Sequence, residues 1–215
     1  MMVSESSPKE KQSLSPAALK EQLQTILEKI QSNKDDSPLT NLKLNENLVD
    51  EIEQLVRDLE KVNPNPQPLL HATSLLNGKW LLQYSTAREI RRLSSLPLNL
   101  KVGKVYQEID VENKSFFNLA FVRHPLGLIS GSVKVTASFE PAPEDTEKRI
   151  NVNFDKRYLS IEKIFSINTP KLNPFKVVSA NNPQGRIPSL EITYLDETLR
   201  IGRGGDGSLF VLKRV

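Results

Sequence analysis

The chain of 215 residues contains no cysteine, which excludes disulfides, thiolate nucleophiles and cysteine-bound zinc or iron–sulfur clusters. It has only two histidines, His71 and His124, and they do not stand at a metal-ligand spacing such as H-x-x-x-H. So few histidines neither support nor exclude a Ser-His-Asp triad. No run of residues approaches the roughly 20 apolar side chains that a helix needs to cross a bilayer. We therefore expect no metal and no cofactor, and only peripheral association with a membrane.

Charge is unevenly distributed along the chain. Residues 1–70 carry 8 basic and 12 acidic side chains, whereas residues 71–215 carry 21 and 14, within a net charge of +3. The basic body favours an anionic partner such as a membrane surface, a lipid headgroup or nucleic acid, although solvated lysines on a soluble domain give the same count. The aromatic residues lie in apolar alternations and are not interleaved with exposed basic residues, so we do not expect a nucleic-acid-binding sheet.

The first third of the chain has the apolar period of helices. Ser15 and Pro16 stand where an N-cap and a first helical residue are expected. The apolar positions are Leu19, Leu23, Ile26, Leu27 and Ile30 in a first helix and Leu48, Val49, Ile52, Leu55, Val56, Leu59 and Val62 in a second. Alternating prolines then exclude helix over residues 63–68. We predict a polar lead over 1–14, a helical hairpin with a proline-rich linker over 15–68, and a second domain over 69–215.

Beyond the linker the apolar period changes from about 3.6 to 2, which is typical of half-buried strands. Trp80, Leu82 and Tyr84, for example, fall at every second position, with Gln83 and Ser85 as the alternating polar residues. The predicted strands cover residues 80–85, 102–111, 115–122, 133–139, 149–154, 190–194, 198–202 and 208–213. Many short strands in succession predict a mainly β fold, with a meandering antiparallel sheet closed as a barrel or a sandwich.

A complete G-x-G-x-x-G occurs near the end of the chain, at Gly202, Gly204 and Gly207. The dinucleotide-binding form of this motif requires a helix directly after the turn. Here residues 208–215 are rich in β-branched and apolar side chains, which is typical of a strand. We therefore interpret the motif as the turn of a β-hairpin.

Two long connections interrupt the strands. Residues 164–188 contain several prolines, whereas residues 88–101 mix arginines with leucines. Long loops in compact domains are often functional lids. We expect residues 88–101 either to pack over the barrel mouth or to touch a membrane. The candidate residues of this connection are Arg88, Arg91, Arg92, Leu93 and Leu96.

Candidate chemical residues are few. Asp196 and Glu197 form a carboxylate pair that would serve as acid and base if burial separated their pKa values, but their position between two strands favours a turn. Aromatic residues on the strands either pack the interior or line an apolar cavity. The candidate lining residues are Tyr84, Tyr106, Phe117, Phe139, Phe154, Tyr194 and Phe210.

Four segments together carry a resemblance to a known family: LLNGKWLLQYSTA, VYQEIDVENKSFFNLA, VKVTASFEP and ITYLDETLRIGRGGDGSLFVLKR. In this order they resemble the plastid lipid-associated proteins, also called fibrillins or plastoglobulins, over residues 47–215. The resemblance implies a lipocalin-like antiparallel β-barrel and a non-enzymatic role. That role is to bind or organise carotenoids, quinones, fatty acids or glycerolipids at thylakoid-type membranes or lipid bodies.

The resemblance also implies how one end of the barrel closes. Gly78, Lys79 and Trp80 resemble the lipocalin G-x-W element, in which an arginine from the last strand packs over the tryptophan. Arg214 is the expected partner and Arg200 the second candidate. A guanidinium on an indole face adds a cation–π contact to the apolar plug.

Two further expectations follow from the resemblance. Some members of the family assist prenylquinone synthesis by binding a prenyl diphosphate synthase, so the alternative function is a protein-interaction module that uses the helical hairpin. Plastid members carry a transit peptide, whereas this chain begins with a short polar lead. We therefore expect a cyanobacterial protein located at thylakoids or in the cytoplasm, or else the mature form of a plastid protein.

Overall fold

The computed structural model describes residues 14–31, 36–92, 96, 99–180, 182 and 187–215. Its helices are α1 (Pro16–Gln31), α2 (Glu46–Lys61), α3 (Pro68–His71), α4 (Thr73–Leu76) and α5 (Arg88–Arg92), with short 3-10 helices at Asn41–Lys43 and Pro170–Leu172. Its strands are β1 (Leu39–Thr40), β2 (Gly78–Ser85), β3 (Lys101–Asp110), β4 (Ser115–Arg123), β5 (Ile129–Ala142), β6 (Asp145–Ile164), β7 (Ile167–Asn168), β8 (Lys176–Ser179), β9 (Ser189–Leu195), β10 (Leu199–Gly204) and β11 (Leu209–Arg214).

Eight of these strands form a closed antiparallel barrel in the order β2, β11, β10, β9, β6, β5, β4 and β3, and β3 pairs back to β2. The predicted fold class, a mainly β barrel preceded by a helical region, is therefore confirmed. Closure leaves the barrel without the unpaired edges that an open sheet exposes.

Local sequence signals set several boundaries, of which the start of α1 and the glycine turn were predicted. The Ser15 hydroxyl accepts from the Ala18 amide at 3.2 Å at the start of α1, and Asn45 caps α2 by accepting from the Leu48 amide at 2.9 Å. The glycine motif is a hairpin turn between β10 and β11, and Gly207 has a φ of +81°. No helix follows it, because residues 209–214 are a strand.

One strand is much longer than the sequence predicts. The predicted run at 149–154 is part of β6, which continues to Ile164 because its pairing with β5 extends that far. The proline-containing connection after it is also partly ordered: β7 and β8 both pair with β6. Hydrophobic alternation ends near residue 155, so it could not report these backbone pairings.

Buried apolar side chains form two separate groups. The inner core fills the barrel and includes Trp80, Leu82, Val105, Ile109, Phe116, Ala120, Ala137, Val152, Ile192, Leu195 and Leu212. The outer core lies between the barrel wall and the two long helices and includes Leu19, Leu23, Leu27, Ile52, Val56, Leu59, Tyr84, Tyr194, Ile201, Leu209 and Val211. The helices α1 and α2 therefore use their apolar faces to cover β9, β10, β11 and β2 from outside.

Polar contacts hold the helices on this wall. Arg203 of β10 binds Glu53 and Glu60 of α2, with N···O distances of 2.8 Å to each. Lys20 of α1 reaches Asp196 in the β9–β10 turn at 2.5 Å. In the linker, Asn63 donates to the Thr193 carbonyl at 3.0 Å and accepts from the Leu195 amide at 3.1 Å. The helical region and the barrel consequently pack as one body.

Candidate functional site

One end of the barrel is closed around Trp80. Its indole is fully buried and donates from Nε1 to the Leu76 carbonyl at 2.9 Å, which ties β2 to the short helix α4. The Arg214 guanidinium lies 4.3 Å from the ring centroid and the Arg200 guanidinium lies 5.1 Å from it. Both arginines that the sequence nominated are thus in contact range of the tryptophan. We call this the closed end.

Arg214 joins the elements that meet at the closed end. Nε donates to the Glu197 carbonyl at 2.8 Å, Nη1 donates to the Asn77 carbonyl at 2.8 Å, and Nη2 donates to the Leu75 carbonyl. Gly78 makes room for it: Gly78 has a φ of +106°, and a Cβ there would lie 3.2 Å from Arg214 Nη1. A side chain at position 78 would therefore be both strained and crowded.

A short polar ladder rises from the closed end inside the barrel. Arg200, which is 3 % exposed, donates to Gln107 Oε1, and Gln107 Nε2 donates to Asn118 Oδ1 at 3.0 Å. Burial, and next the charge of Arg214, lowers the pKa of Arg200. Among the residues that the structure describes, no carboxylate forms an ion pair with Arg200. The ladder places three polar side chains beside the apolar inner core.

The other end of the barrel has a different inner wall. Val133 pairs with Ala120 and Leu159, and Phe154 pairs with Ala137, so these side chains face the interior. Unlike the inner-core residues near Trp80, Val133, Phe154 and Leu159 are only half-buried. Apolar inner wall is therefore partly accessible at this end, which we call the mouth.

The basic connection lies at the mouth. Its first residues form α5, where Arg88 and Arg92 are exposed. Ile90 and Leu96, in contrast, are partly buried and pack against the inner core. Leu93, which the sequence nominated with them, lies outside the described residues. This arrangement has an apolar side over the barrel and a basic side toward solvent.

The seven nominated aromatic residues divide into three groups. Phe139, Phe154 and Phe210 pack against the inner core. Tyr84 and Tyr194 belong to the outer core, beneath the helices. Tyr106 and Phe117 face outward, where the side chains of Lys79 and Lys134 lie over their rings at 4.3 and 3.9 Å.

Two β-bulges explain why the tyrosines leave the interior. Val211 pairs with Tyr84 and Leu212 with Leu82, so Gln83 is an extra residue in β2 and the next side chain changes face. Ile201 pairs with Tyr194 and Gly202 with Ile192, so Thr193 is the extra residue in β9. Strict alternation, which the sequence prediction assumed, fails at each bulge.

Tyr106, whose side chain faces outward, borders a surface cleft of about 350 Å³. Tyr106 meets Phe121 edge-on at 6.2 Å between ring centroids, and Lys104, Arg123 and Glu162 also line the cleft. Phe121 is an aromatic residue that the sequence nomination omitted. The cleft lies on the outer face of β3 and β4, because Tyr106 pairs with Leu81 and not with the inward Trp80.

The carboxylate pair has the geometry of a turn. Asp196 accepts from the Thr198 and Leu199 amides at 2.8 Å each, and also from Tyr194 Oη at 2.8 Å and Lys20 Nζ at 2.5 Å. Burial alone would raise the pKa of Asp196, but these hydrogen bonds outweigh it and lower the pKa to about 2. Burial, helped by Asp196, raises the pKa of Tyr194. Asp196 is thus an anchor, ionised at neutral pH, for its turn and for α1.

Across the described ranges, no group of His, Asp or Glu side chains is arranged to hold a metal ion. Among the helices that the structure describes, none has both the length and the apolar character needed to cross a membrane.

Comparison with known proteins gives consistent matches. The family model PAP_fibrillin matches residues 17–213. A chromoplast-specific carotenoid-associated protein of Cucumis sativus is 35 % identical over 192 residues, covering 75 % of this chain and 59 % of the relative. Plastid lipid-associated protein 1 of Brassica campestris is 33 % identical over 202 residues, covering 76 % and 59 %. Probable plastid-lipid-associated protein 3 of Arabidopsis thaliana is 35 % identical over 200 residues, covering 76 % and 51 %. The chain thus spans just over half the length of these relatives.

Proposed function

The chain belongs to the PAP_fibrillin family, and on that premise we propose that it binds an apolar lipid or isoprenoid inside its barrel, at a thylakoid-type membrane or a lipid body. The candidate ligands are carotenoids, quinones, fatty acids and glycerolipids. The role is non-enzymatic. It agrees with the names of the relatives, which are described as carotenoid-associated or plastid-lipid-associated.

The observation that carries this proposal is the difference between the two ends of the barrel. Trp80 and the arginines close one end, whereas Val133, Phe154 and Leu159 face inward at the mouth and are only half-buried. When a ligand covers an apolar wall that the protein leaves partly exposed, the free energy falls because apolar surface is removed from water. Each buried CH₂ contributes about 0.8 kcal/mol, so a tail of about 20 carbons requires little polar help.

The polar ladder supplies the groups that would orient the ligand. Binding sites for small apolar molecules usually contain a few placed polar side chains. Asn118 is half-buried on β4 and stands at the upper end of the ladder through Gln107 to Arg200. A carbonyl, hydroxyl or carboxylate head that points toward the closed end would meet Asn118 first.

The basic loop supplies the approach to a membrane. Ile90 and Leu96 contact the inner core and Arg88 and Arg92 are exposed, so the loop acts as a lid that attracts anionic lipid. A basic residue near an anionic surface contributes about 1 kcal/mol of attraction. The relatives are chromoplastic or chloroplastic, which favours a plastid-type compartment; a cyanobacterial host remains a prediction.

Mass spectrometry of the organic extract tests the proposal. The protein is purified from a phototrophic host together with two variants, Val133→Trp on the inner wall and Leu119→Trp on the outer face of the neighbouring strand. We expect a stoichiometric carotenoid, quinone or acyl lipid with the wild type and with Leu119→Trp, and its loss from Val133→Trp. An empty extract from folded wild-type protein would contradict the proposal.

The alternative, an interaction module for a prenyl diphosphate synthase, has weaker structural support. The apolar faces of α1 and α2 are already buried in the outer core, by residues such as Leu23, Ile52 and Leu59. A synthase would therefore have to bind the polar faces of these helices. We prefer lipid binding because the inner wall at the mouth is only half-buried, whereas the apolar faces of the helices are covered.

A further inference from the structure

We infer that the protein docks on anionic bilayers through one apolar patch beside the barrel mouth, formed by Leu126, Phe165, Ile167 and Phe175. We call it the apical patch. This inference rests on the proposed function in one respect, namely that the mouth must face lipid for the ligand to enter. The surface itself is argued from exposure, backbone geometry and charge.

The first observation is exposure. Leu126 is 78 % exposed, Phe165 69 %, Ile167 70 % and Phe175 49 %. Single exposed apolar residues are normal on a protein surface, but a group of large ones on joined turns marks an interaction site. Phenylalanine and leucine are also residues with which peripheral proteins enter the headgroup region of a bilayer.

The second observation is that the fold places these residues in loops and turns toward the mouth end of the barrel. Leu126 lies in the β4–β5 loop, and Phe165 lies in the turn after β6. The Phe165 amide donates to the Leu128 carbonyl at 2.9 Å, so the loop and the turn are adjacent. Ile167 pairs with Ile164 on β7, and the Phe175 amide donates to the Leu159 carbonyl at 2.9 Å. Backbone hydrogen bonds therefore hold the patch in place.

The third observation is the backbone of Phe165. Its φ is +46°, and Ser166 after it has a φ of +66°. A bulky side chain rarely adopts this left-handed conformation, which asparagine and glycine tolerate far better. The turn thus carries a strained phenylalanine whose ring is exposed to solvent. Strained, exposed residues of this kind occur mostly where function requires them.

The fourth observation is charge, and it selects the partner. Lys163, Lys171 and Lys176 are exposed around the apical patch. The sequence has no acidic residue between positions 163 and 179, and none between positions 121 and 139. Within the described part of the chain, none of these three lysines forms a salt bridge. Apolar residues bordered by these three lysines fit an anionic lipid surface.

Docking at this patch would place the mouth against the bilayer. Lys101, where β3 begins after the basic loop, pairs with Arg123, where β4 ends before the loop that contains Leu126. The lid and the apical patch are therefore neighbours at the same end of the barrel. A ligand could pass from the bilayer to the inner wall without crossing water.

The test is flotation with vesicles of equal parts phosphatidylcholine and phosphatidylglycerol. Three proteins are compared: the wild type, Phe165→Asn with Phe175→Asn, and Leu70→Ser as the control. Leu70 is 52 % exposed on α3 at the closed end. We expect the double variant to lose at least about tenfold in vesicle binding, since each phenylalanine anchors apolar area. We expect the control to bind like the wild type.

A second variant separates the charge contribution. Lys163→Glu with Lys171→Glu should lower binding to the anionic vesicles about tenfold or more, and raising the salt concentration should weaken the wild type in the same way. Equal flotation of the wild type and the phenylalanine variant would overturn the inference. Failure of the wild type to float would overturn it as well. So would a phenylalanine variant that binds vesicles normally but no longer self-associates in gel filtration.

Mass spectrometry of the extracts distinguishes this inference from the proposed function. If the phenylalanine variant no longer floats but still carries its lipid, both hold. If the wild type floats and the variant does not, while neither carries lipid, the docking surface holds and the proposed function fails.

Discussion

The Arg214 guanidinium lies 4.3 Å from the centroid of the Trp80 ring while its nitrogens bind three backbone carbonyls from two segments. The pair therefore closes the barrel end and also joins the end of the last strand to the segment before β2 and to the β9–β10 turn. Arg214→Met should lower the free energy of unfolding by about 1–3 kcal/mol, because it removes the cation–π contact with Trp80 and three hydrogen bonds to backbone carbonyls. Urea denaturation measures this.

The neighbouring residue is the control for that substitution. Lys213 has the opposite orientation on β11 and its side chain is largely exposed. Lys213→Met should change the stability by less than about 0.5 kcal/mol. Equal losses from both variants would show that Arg214 has no special role at the closed end.

Asp196 makes the free energy of unfolding depend on pH in the acid range. Its folded-state pKa is about 2 against an ordinary value of 3.8. A carboxylate with a lowered pKa contributes stability that is fully present above its unfolded pKa and is lost as the pH falls through the folded one. We expect the wild type to lose about 2 kcal/mol between pH 4 and pH 2 through this group.

The substitution Asp196→Asn should remove that part of the acid dependence. Glu191 also has a lowered pKa, mainly through Lys148, so the informative quantity is the difference between the two stability curves. Lys20→Met should remove a fraction of the same effect, because Lys20 donates to Asp196. Parallel curves for the wild type and Asp196→Asn would refute the assignment.

Substitution of Tyr194 tests whether this buried side chain lies outside the barrel. Tyr194→Phe removes the hydroxyl that donates to Asp196 at 2.8 Å and should cost about 1–2 kcal/mol of stability. Because Tyr194 lies in the outer core, the amount of lipid in the organic extract should not change. Loss of lipid from a folded Tyr194→Phe protein would place this side chain at the ligand after all.

The lid arginines should affect membrane approach without anchoring the protein. Arg91→Glu with Arg92→Glu is expected to lower flotation with anionic vesicles at low salt, by about tenfold for two reversed charges. Flotation with pure phosphatidylcholine vesicles should hardly change. Unchanged flotation at low salt would show that the basic loop does not contribute to vesicle binding, which would then depend on the apical patch.

The strained turn predicts an increase in stability. Phe165→Asn should raise the free energy of unfolding by roughly 1 kcal/mol, because asparagine adopts a φ of +46° more readily. Phe175→Asn has no such reason to stabilise the protein and is the matched control. Thermal unfolding of both variants checks this, and a destabilised Phe165→Asn would mean that the ring packs against the protein.

The residues that sequence reasoning placed well are those whose conformation depends on near neighbours. Ser15 and Pro16 begin a helix, Gly207 turns a hairpin, and the alternation around Trp80 forms a strand. Each of these signals is local in the chain. The pairing of Trp80 with an arginine was also foreseeable, but only because the segment around it resembles a known family.

What the sequence by itself determined is the two long helices and most of the barrel strands, because side-chain period and turn residues act over a few positions. Only the tertiary structure decided which aromatic residues face the interior. The bulges at Gln83 and Thr193 turn Tyr84 and Tyr194 outward, and each is visible only in the pairing of two strands. The apical patch was likewise decided by tertiary structure, because Leu126 and Phe165 become neighbours only when β5 and β6 pair along their whole length.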